Sequence, residues 1–466
     1  MVKNPQSGIN YSQLSPGVTV EVTCKDLDRY GQGISFLNGC LLVTPNFLPG
    51  ERAIVELAKR KGSYWHSRLI KLLSKSSLRQ SPLCNISSKC GGCSLQHLVH
   101  VDQAILKQNQ IKEIFKRIGK IDISIDSLMM SSDRIFGYRN RALIPLFRAS
   151  SGKLNMGYYM RGTHRIVDLN RCPILDERIE RYLAPLKYDL QNQCWPADSD
   201  LTTCSGLRHL GLRLGHRSGQ VLITLVSSNH NLPGLSKLAR QWLDRWPEVL
   251  GVTLNLQPER NNIILGNQTV LLAGKPEIEE RICGISLKLS TTTFFQVNTL
   301  EAERIILHLI NWFSISSTTK KIVDAYCGIG TITLPLAATG FEVVGIEVHK
   351  HSIIQAKRNA KRNNLDNVKF VAGDVSVLLS ELLETGDYLV VDPPRKGLDK
   401  NVIKTILRIR PERIGYLSCD PATLARDLNQ LVAPNGPYFV DQLQPVDFFP
   451  QTTHIECLAL LKIISS

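Results

Sequence analysis

No apolar run in the 466-residue chain approaches the roughly 20 residues needed to cross a bilayer. The opening MVKNPQSGINYSQ has neither the basic start nor the apolar centre of a signal peptide. A cytoplasmic protein without a membrane partner is therefore expected. Twelve cysteines are too few to scaffold so long a chain through disulfides, so their spacing carries more information than their number. Internal repeats and low-complexity tracts are lacking as well. Acidic residues are in short supply: 41 Asp and Glu face 56 Lys and Arg, a formal charge of +15, which suits a polyanionic partner without proving one. The remaining composition, 43% hydrophobic and 21% charged, is that of an ordinary folded protein. A length about three times a prior of roughly 150 residues per domain predicts two to four domains and excludes a single small binding module.

The chain changes texture along its length. From about residue 11 to 75, short alternating segments such as GVTVEVTCKDL, GCLLVTPNFL and ERAIVELAKR are broken by Gly31, Gly33, Gly39 and the Pro49-Gly50 turn. That pattern predicts a small antiparallel barrel. Lys59, Arg60, Lys61, Arg68, Lys71 and Lys75 make its end basic, as phosphate contact or a solvated surface would require. CNISSKCGGC follows at 84 to 93, and then a stretch over 97 to 119 in which Ile105, Leu106, Ile111, Ile114 and Phe115 suit a helix. GYRNRALIPL, KLNMGYYMRG, GQVLITLV and GVTLNLQ predict a mixed sheet between 134 and 285.

From about 319, strand and helix alternate regularly through KKIVDAYCGIGTITLPLA, FEVVGIEV, NVKFVAGD, YLVVDPPRKG and RIGYLSCD, with final strands around 436 to 447 and 454 to 463. This predicts a parallel α/β sheet covered on both faces. Its ligands belong at the carboxyl ends of the strands, where Asp324, Glu347, Asp374, Asp392 and Cys419 fall. The expected division is a barrel at 1–78, a cysteine segment at 79–96, a helical segment at 97–125 packing on the catalytic domain, a central α+β domain at 126–285 and a catalytic domain at 286–466.

The strand-end motifs carry the chemistry. In DAYCGIGT, Gly328 and Gly330 permit a tight turn and close approach of a ligand, and Glu347, 19 residues after Gly328, can accept bonds from ribose hydroxyls. The full GxGxxG signature is missing, which disfavours hydride transfer from a dinucleotide. Asp374 can meet an adenine edge. On their own these residues support a nucleoside-containing cofactor, or else a structural turn with helix-capping acids. Together they resemble the S-adenosylmethionine site of class I methyltransferases, where the acid at the position of Glu347 holds ribose and that at Asp374 lies beside adenine.

Cys419, in YLSCDPATLARDL, stands at a strand end where a thiolate could serve as nucleophile or a thiol simply be buried. In DPPRKGL, the two prolines present Asp392 and the Arg395-Lys396 pair from a constrained turn; Asp392 can accept N–H from a pyrimidine, and the basic pair can meet phosphate. Glu456 lies within an apolar strand, where burial would raise its proton affinity and suit acid-base work, unless it is a satisfied structural acid. His454 is given no larger role than orienting a neighbour.

DAYCGIGT, DPPRKGL, SCDPATLARDL, HIE at 454 to 456 and FFQVN at 294 to 298 together resemble the RNA uracil-C5 methyltransferase family, across essentially the whole chain. The resemblance implies a class I Rossmann-like catalytic domain behind an N-terminal TRAM or OB-type barrel that binds RNA. It implies Cys419 as nucleophile, Glu456 as base, and Gln296, Tyr326, Thr331, Glu347, Asp374 and Asp392 around S-adenosylmethionine and the substrate. Tyr326 stands where the family often has Phe, and Phe448 where Met is common; neither removes a reactive group.

Cys84, Cys90 and Cys93, spaced C-x5-C-x2-C, with Cys172 much later, leave iron-sulfur, zinc and plain thiols open by spacing alone. The resemblance to the cluster-bearing ribosomal-RNA branch implies a [4Fe-4S] cluster on those four, with a folding and RNA-site role. The expected activity is methylation of a uridine of 23S ribosomal RNA by a monomer. The same chemistry on transfer RNA, or a non-catalytic RNA-binding assembly factor, are the alternatives.

Overall fold

The computed structural model describes residues 14–122, 124–126, 134–315 and 321–464. The stretches 1–13, 123, 127–133, 316–320 and 465–466, parts of the expected domains, lie outside the described residues. Packing divides the chain into two units. One runs to Gln110 and includes Tyr159–His164 and Phe449–Thr453; the other comprises Ile111–Tyr158, Arg165–Phe448 and His454–Ser466.

In the first unit, alternating burial along Thr19–Thr23 and Arg52–Lys61 turns Val20, Val22, Ala53, Val55 and Leu57 onto one face, where they pack with Leu42, Phe47 and Trp65. Six strands form the sheet, with Thr19–Thr23 at one edge and Asp26–Leu27 at the other. The sheet departs from the antiparallel expectation in one place: Cys40–Thr44 runs parallel to Tyr64–Ser74. The chain reverses after Pro49-Gly50 and again at Gly62, which restores its direction, and the strand between the reversals pairs with Tyr64–Ser74 from the other side. The helix begun at His100 lies in this unit as far as Gln110.

The larger unit holds two seven-stranded sheets. The first is mixed, with Leu207–Leu214 and Val221–Ser227 at its centre, both buried at every position. The second has the spatial order Val368–Ala372, Glu342–Glu347, Lys321–Ala325, Tyr388–Val391, Arg413–Ser418, Glu456–Ile463, Tyr438–Val446. Its first five strands are mutually parallel; Glu456–Ile463 runs antiparallel to them, and Tyr438–Val446, antiparallel in turn to Glu456–Ile463, returns to their direction. Continuous apolar runs such as YLVV form central strands because helices cover both faces. The order reverses beside Lys321–Ala325, which puts the crevice for a ligand at the carboxyl end of that strand. The turn Phe115–Gly119, also in this unit, packs on helix Pro421–Leu431, where Asn429 donates its side-chain amide to the Gly119 carbonyl.

Candidate active site

Strand Lys321–Ala325 ends in a turn that few residues tolerate. Tyr326, Gly328 and Gly330 all have positive φ, at 71°, 55° and 90°. A Cβ on Gly330 would lie 2.9 Å from Leu334, whereas one on Gly328 would meet nothing, leaving open space over the turn. Glu347, closing the neighbouring strand, accepts hydrogen bonds from the Gly328 N–H at 3.3 Å and the His349 N–H at 2.8 Å. Asp374, after the third strand, caps helix Val375–Leu382 through the Ser376 N–H at 2.8 Å, and that bond holds its carboxyl below the usual range. Glu347 and Asp374 thus brace local backbone at the ends of adjacent strands.

Gln296, Tyr326, Thr331 and Asp392 line one cavity of about 50 Å³, closed on other sides by Phe294, Leu417 and Phe448. Asp324 also reaches it and is 1% exposed; Thr333 donates to one carboxyl oxygen, and the other has no partner among the described residues. Burial, then the charges of Asp392 and Glu347, push Asp324 up to about 7, and burial does the same to Asp392. Asp324 was readable only as a strand-end acid; its orphaned oxygen is a product of tertiary burial.

Cys419 follows strand Arg413–Ser418 directly and precedes Asp420, the N-cap of helix Pro421–Leu431. It is half-buried and lies outside the cavity lining, although Leu417 and Asp392 belong to it. Glu456 opens the final long strand and is 5% exposed. Burial, then the charge of Asp392, pushes Glu456 up to about 8, against which Arg395 acts. Burial pushes the Cys419 thiol up, the charges of Glu456 and Asp392 add to it, and Arg395 opposes them. One thiol, a buried and a half-buried acid and one guanidinium therefore share a neighbourhood at the ends of three strands. Arg395, expected only to meet phosphate, bears electrostatically on both Cys419 and Glu456.

In the other unit, the loop holding Cys84, Cys90 and Cys93 is pinned by its own backbone. Cys90 N–H donates to the Ile86 carbonyl at 2.9 Å, the Gly92 N–H points at Cys90 Sγ at 3.4 Å, and Arg161 donates to the Cys93 carbonyl at 2.6 Å. Cys90 and Cys93 are buried. Cys172, in the larger unit, is buried too and donates its N–H to Glu180 at 3.0 Å. Among the described residues no group of three or more His, Cys, Asp or Glu is disposed to hold a single metal ion, and no disulfide joins any of the twelve cysteines. No helix among them is long and apolar enough to cross a membrane.

A sheet of this order, parallel over its first five strands, with a glycine turn and acids at its strand ends, defines a class I S-adenosylmethionine-dependent methyltransferase. A family model described as tRNA (uracil-5-)-methyltransferase matches residues 102–464, and the chain belongs to that family. It is 53% identical over 452 residues to an uncharacterised RNA methyltransferase of Parasynechococcus marenigrum, covering 97% of each chain. A second, from Synechocystis, is 41% identical over 96% of each. Among solved structures, the Pyrococcus abyssi tRNA (uracil-54, C5)-methyltransferase in complex with S-adenosyl-L-homocysteine matches with a TM-score of 0.78 and 26% identity, over 95% of this chain and 99% of that one. The protein is accordingly an S-adenosylmethionine-dependent enzyme that acts on RNA, in a family that methylates uracil at C5.

Proposed function

We propose that this chain methylates C5 of a uridine in transfer RNA, with Cys419 as nucleophile and Glu456 as proton acceptor. The observation that carries the reading is the meeting of Cys419, Glu456, Asp392 and Arg395 beside the cavity of Gln296, Tyr326 and Thr331. Uracil C5 is a poor nucleophile. Addition of the Cys419 thiolate to C6 forms an S–C bond and moves an electron pair to C5 as an enolate. Bound S-adenosylmethionine supplies the methyl group, on an electrophilic sulfonium, that C5 then takes. Glu456 accepts the remaining C5 proton, the released pair restores the C5–C6 double bond, and Cys419 leaves. An ionised Asp392 accepts N3–H, a proton that cytosine lacks.

The cofactor fits these residues in a specific way. The cavity lies at the end of strand Lys321–Ala325, and a nucleoside would extend from it over the neighbouring strand ends, where Glu347 offers its carboxylate to ribose and Asp374 keeps the oxygen not used in its cap for adenine. Gln296 would orient the base or the cofactor. The target base must leave its stack to reach Cys419.

Transfer RNA is favoured because both the family description and the whole-length Pyrococcus match name it. The second reading, a uridine of 23S ribosomal RNA, rests on the cysteine loop and the N-terminal sheet, through which the chain resembles the ribosomal branch. We take that sheet to be a TRAM-like RNA-binding barrel. In its support, the same unit contains a cavity of about 530 Å³ lined by Arg68, Lys89, Arg161 and His97. Cys84, Cys90, Cys93 and Cys172 would hold a [4Fe-4S] cluster. The buried Cys90 and Cys93 thiols and the Gly92 N–H aimed at Cys90 sulfur suit such a group. Its contribution would be structural.

Labelled S-adenosylmethionine, incubated with anaerobically purified protein and separated transfer and ribosomal RNAs, tests the reading. Label is expected at one or more uridines of transfer RNA; label in ribosomal RNA alone overturns that target. Cys419→Ala should abolish product, and Glu456→Gln should accumulate a covalent RNA adduct. Normal turnover by either removes the role assigned to it.

A further inference from the structure

Asp427 is an acid on the buried face of helix Pro421–Leu431, among Leu424, Ala425, Leu428 and Leu431, and is 0% exposed. A carboxylate so placed must be fully paired. Its Oδ2 accepts from the Tyr416 hydroxyl and from the Leu398 N–H, each at 2.8 Å, and its Oδ1 accepts from Arg426 Nε at 2.8 Å. Arg426 also donates through Nη2 to the Lys396 carbonyl at 2.9 Å. These partners belong to the two segments that carry chemistry. Tyr416 sits on the strand leading into Cys419, and Lys396 and Leu398 close the turn that starts at Asp392 and bears Arg395. Between them Gly397, at φ +77°, fits against the pair with no spare room. A Cβ there would lie 2.5 Å from both Arg426 Nη2 and Asp427 Oδ2.

We infer that Asp427, together with Arg426, is a positioning residue: it clamps the Asp392–Leu398 turn to the strand and helix flanking Cys419 and so holds the Arg395 guanidinium beside the nucleophile. The inference rests on Cys419 acting as proposed above. The charges bearing on Cys419 are Glu456 from the final strand and Asp392 and Arg395 from the turn; of these only Arg395 favours the thiolate. Asp392 directly follows strand Tyr388–Val391, whereas Arg395 lies three residues further into the turn and depends on the clamp for its place. Coulomb interaction weakens with distance, so a loosened turn withdraws the cation first and leaves the thiol harder to ionise.

The test is alkylation of Cys419 by iodoacetamide as a function of pH, followed by mass spectrometry of the Cys419 peptide, in Asp427→Asn, Gly397→Ala and Arg426→Gln. Binding of S-adenosylhomocysteine and thermal unfolding are measured alongside. Each variant should move the alkylation midpoint upward by as much as about one pH unit, roughly tenfold less thiolate at neutral pH. Turnover should fall through kcat while S-adenosylhomocysteine affinity is kept. Arg426→Lys should restore part of the loss. The double variant Gly397→Ala/Asp427→Asn should be no worse than the poorer single one, because both undo one device. An unchanged midpoint in the folded variants, or losses that simply multiply in the double variant, overturns the clamp. If Asp427→Asn does not fold, Gly397→Ala and the Arg426 variants decide the matter, Arg426 being 47% exposed. Normal turnover by Cys419→Ala would instead remove the nucleophile reading, and the alkylation profiles would still report on the clamp.

Discussion

A carboxyl group buried as deeply as that of Glu456 resists ionisation, and the charge of Asp392 adds to the resistance, which lifts the group from 4.5 to about 8. The folded protein therefore binds this proton more tightly than the unfolded chain. The stability it contributes is complete below the unfolded value and is lost as pH rises through about 8. Glu456→Gln has no proton to lose. In urea unfolding it should be more stable than the parent by roughly 3–5 kcal/mol near pH 8.5, a gap that shrinks to about 1 kcal/mol near pH 5. A gap of equal size at both pH values would place the effect in packing instead. Catalysis by the proposed mechanism runs the other way, because it requires Cys419 and Glu456 both to give up protons. The kcat/KM should rise with pH through about 8, and a profile flat from pH 6 to 9 would contradict the pairing. Cys419 and Glu456 stood out in the sequence as candidates, in SCDPATLARDL and HIE, with a buried thiol and a structural acid as the other readings. Asp427 was not singled out, although an acid within the apolar stripe Leu424, Ala425, Leu428, Leu431 is itself a signal.

At the scale of elements, helix Pro421–Leu431 begins one residue after the Cys419–Asp420 peptide bond, with Asp420 accepting from the Ala422 N–H at 2.9 Å and the Thr423 N–H at 3.3 Å, and with Pro421 in the first turn. Asp420→Ala should cost about 1 kcal/mol in thermal or urea unfolding, and Asp420→Asn should recover most of it. The glycine turn makes a second prediction. Gly330→Ala forces a side chain into a φ of +90° and against Leu334, so S-adenosylhomocysteine affinity, read by calorimetry, should fall at least tenfold on the order of the strain cost. The strand-helix alternation from 319 onward was plain in the sequence, since fully buried parallel strands read as apolar runs. Which acid does what at those strand ends was less so. Asp374 is a helix cap as well as a candidate for adenine, and a sequence presents both uses with the same residue. The parallel pairing of Cys40–Thr44 with Tyr64–Ser74 was not visible at all, because alternation reports burial and not direction.

For the whole molecule, the +15 charge converts into a measurable dependence on salt. If binding neutralises six or more phosphates, RNA affinity should drop by about 10³ or more between 50 and 200 mM salt, read by filter binding or fluorescence anisotropy. A drop below tenfold would mean that few of the basic residues touch the backbone. The sequence determined the class of chemistry through the family resemblance that its strand-end motifs carry together, since those residues alone left a nucleoside cofactor or a structural turn open, and it showed the strand-helix alternation of the catalytic sheet, because central strands such as YLVV are apolar runs. Tertiary structure decided the electrical state of the site. Asp324, Asp392 and Glu456 are ordinary acids in the chain; folding takes them out of water, and Asp324 and Glu456 next to other acids, so each binds its proton more tightly than in the unfolded chain, with Arg395 as the charge that opposes this at Glu456 and Cys419. Desolvation and the distance between charges are properties of packing, and no local pattern of residues encodes them.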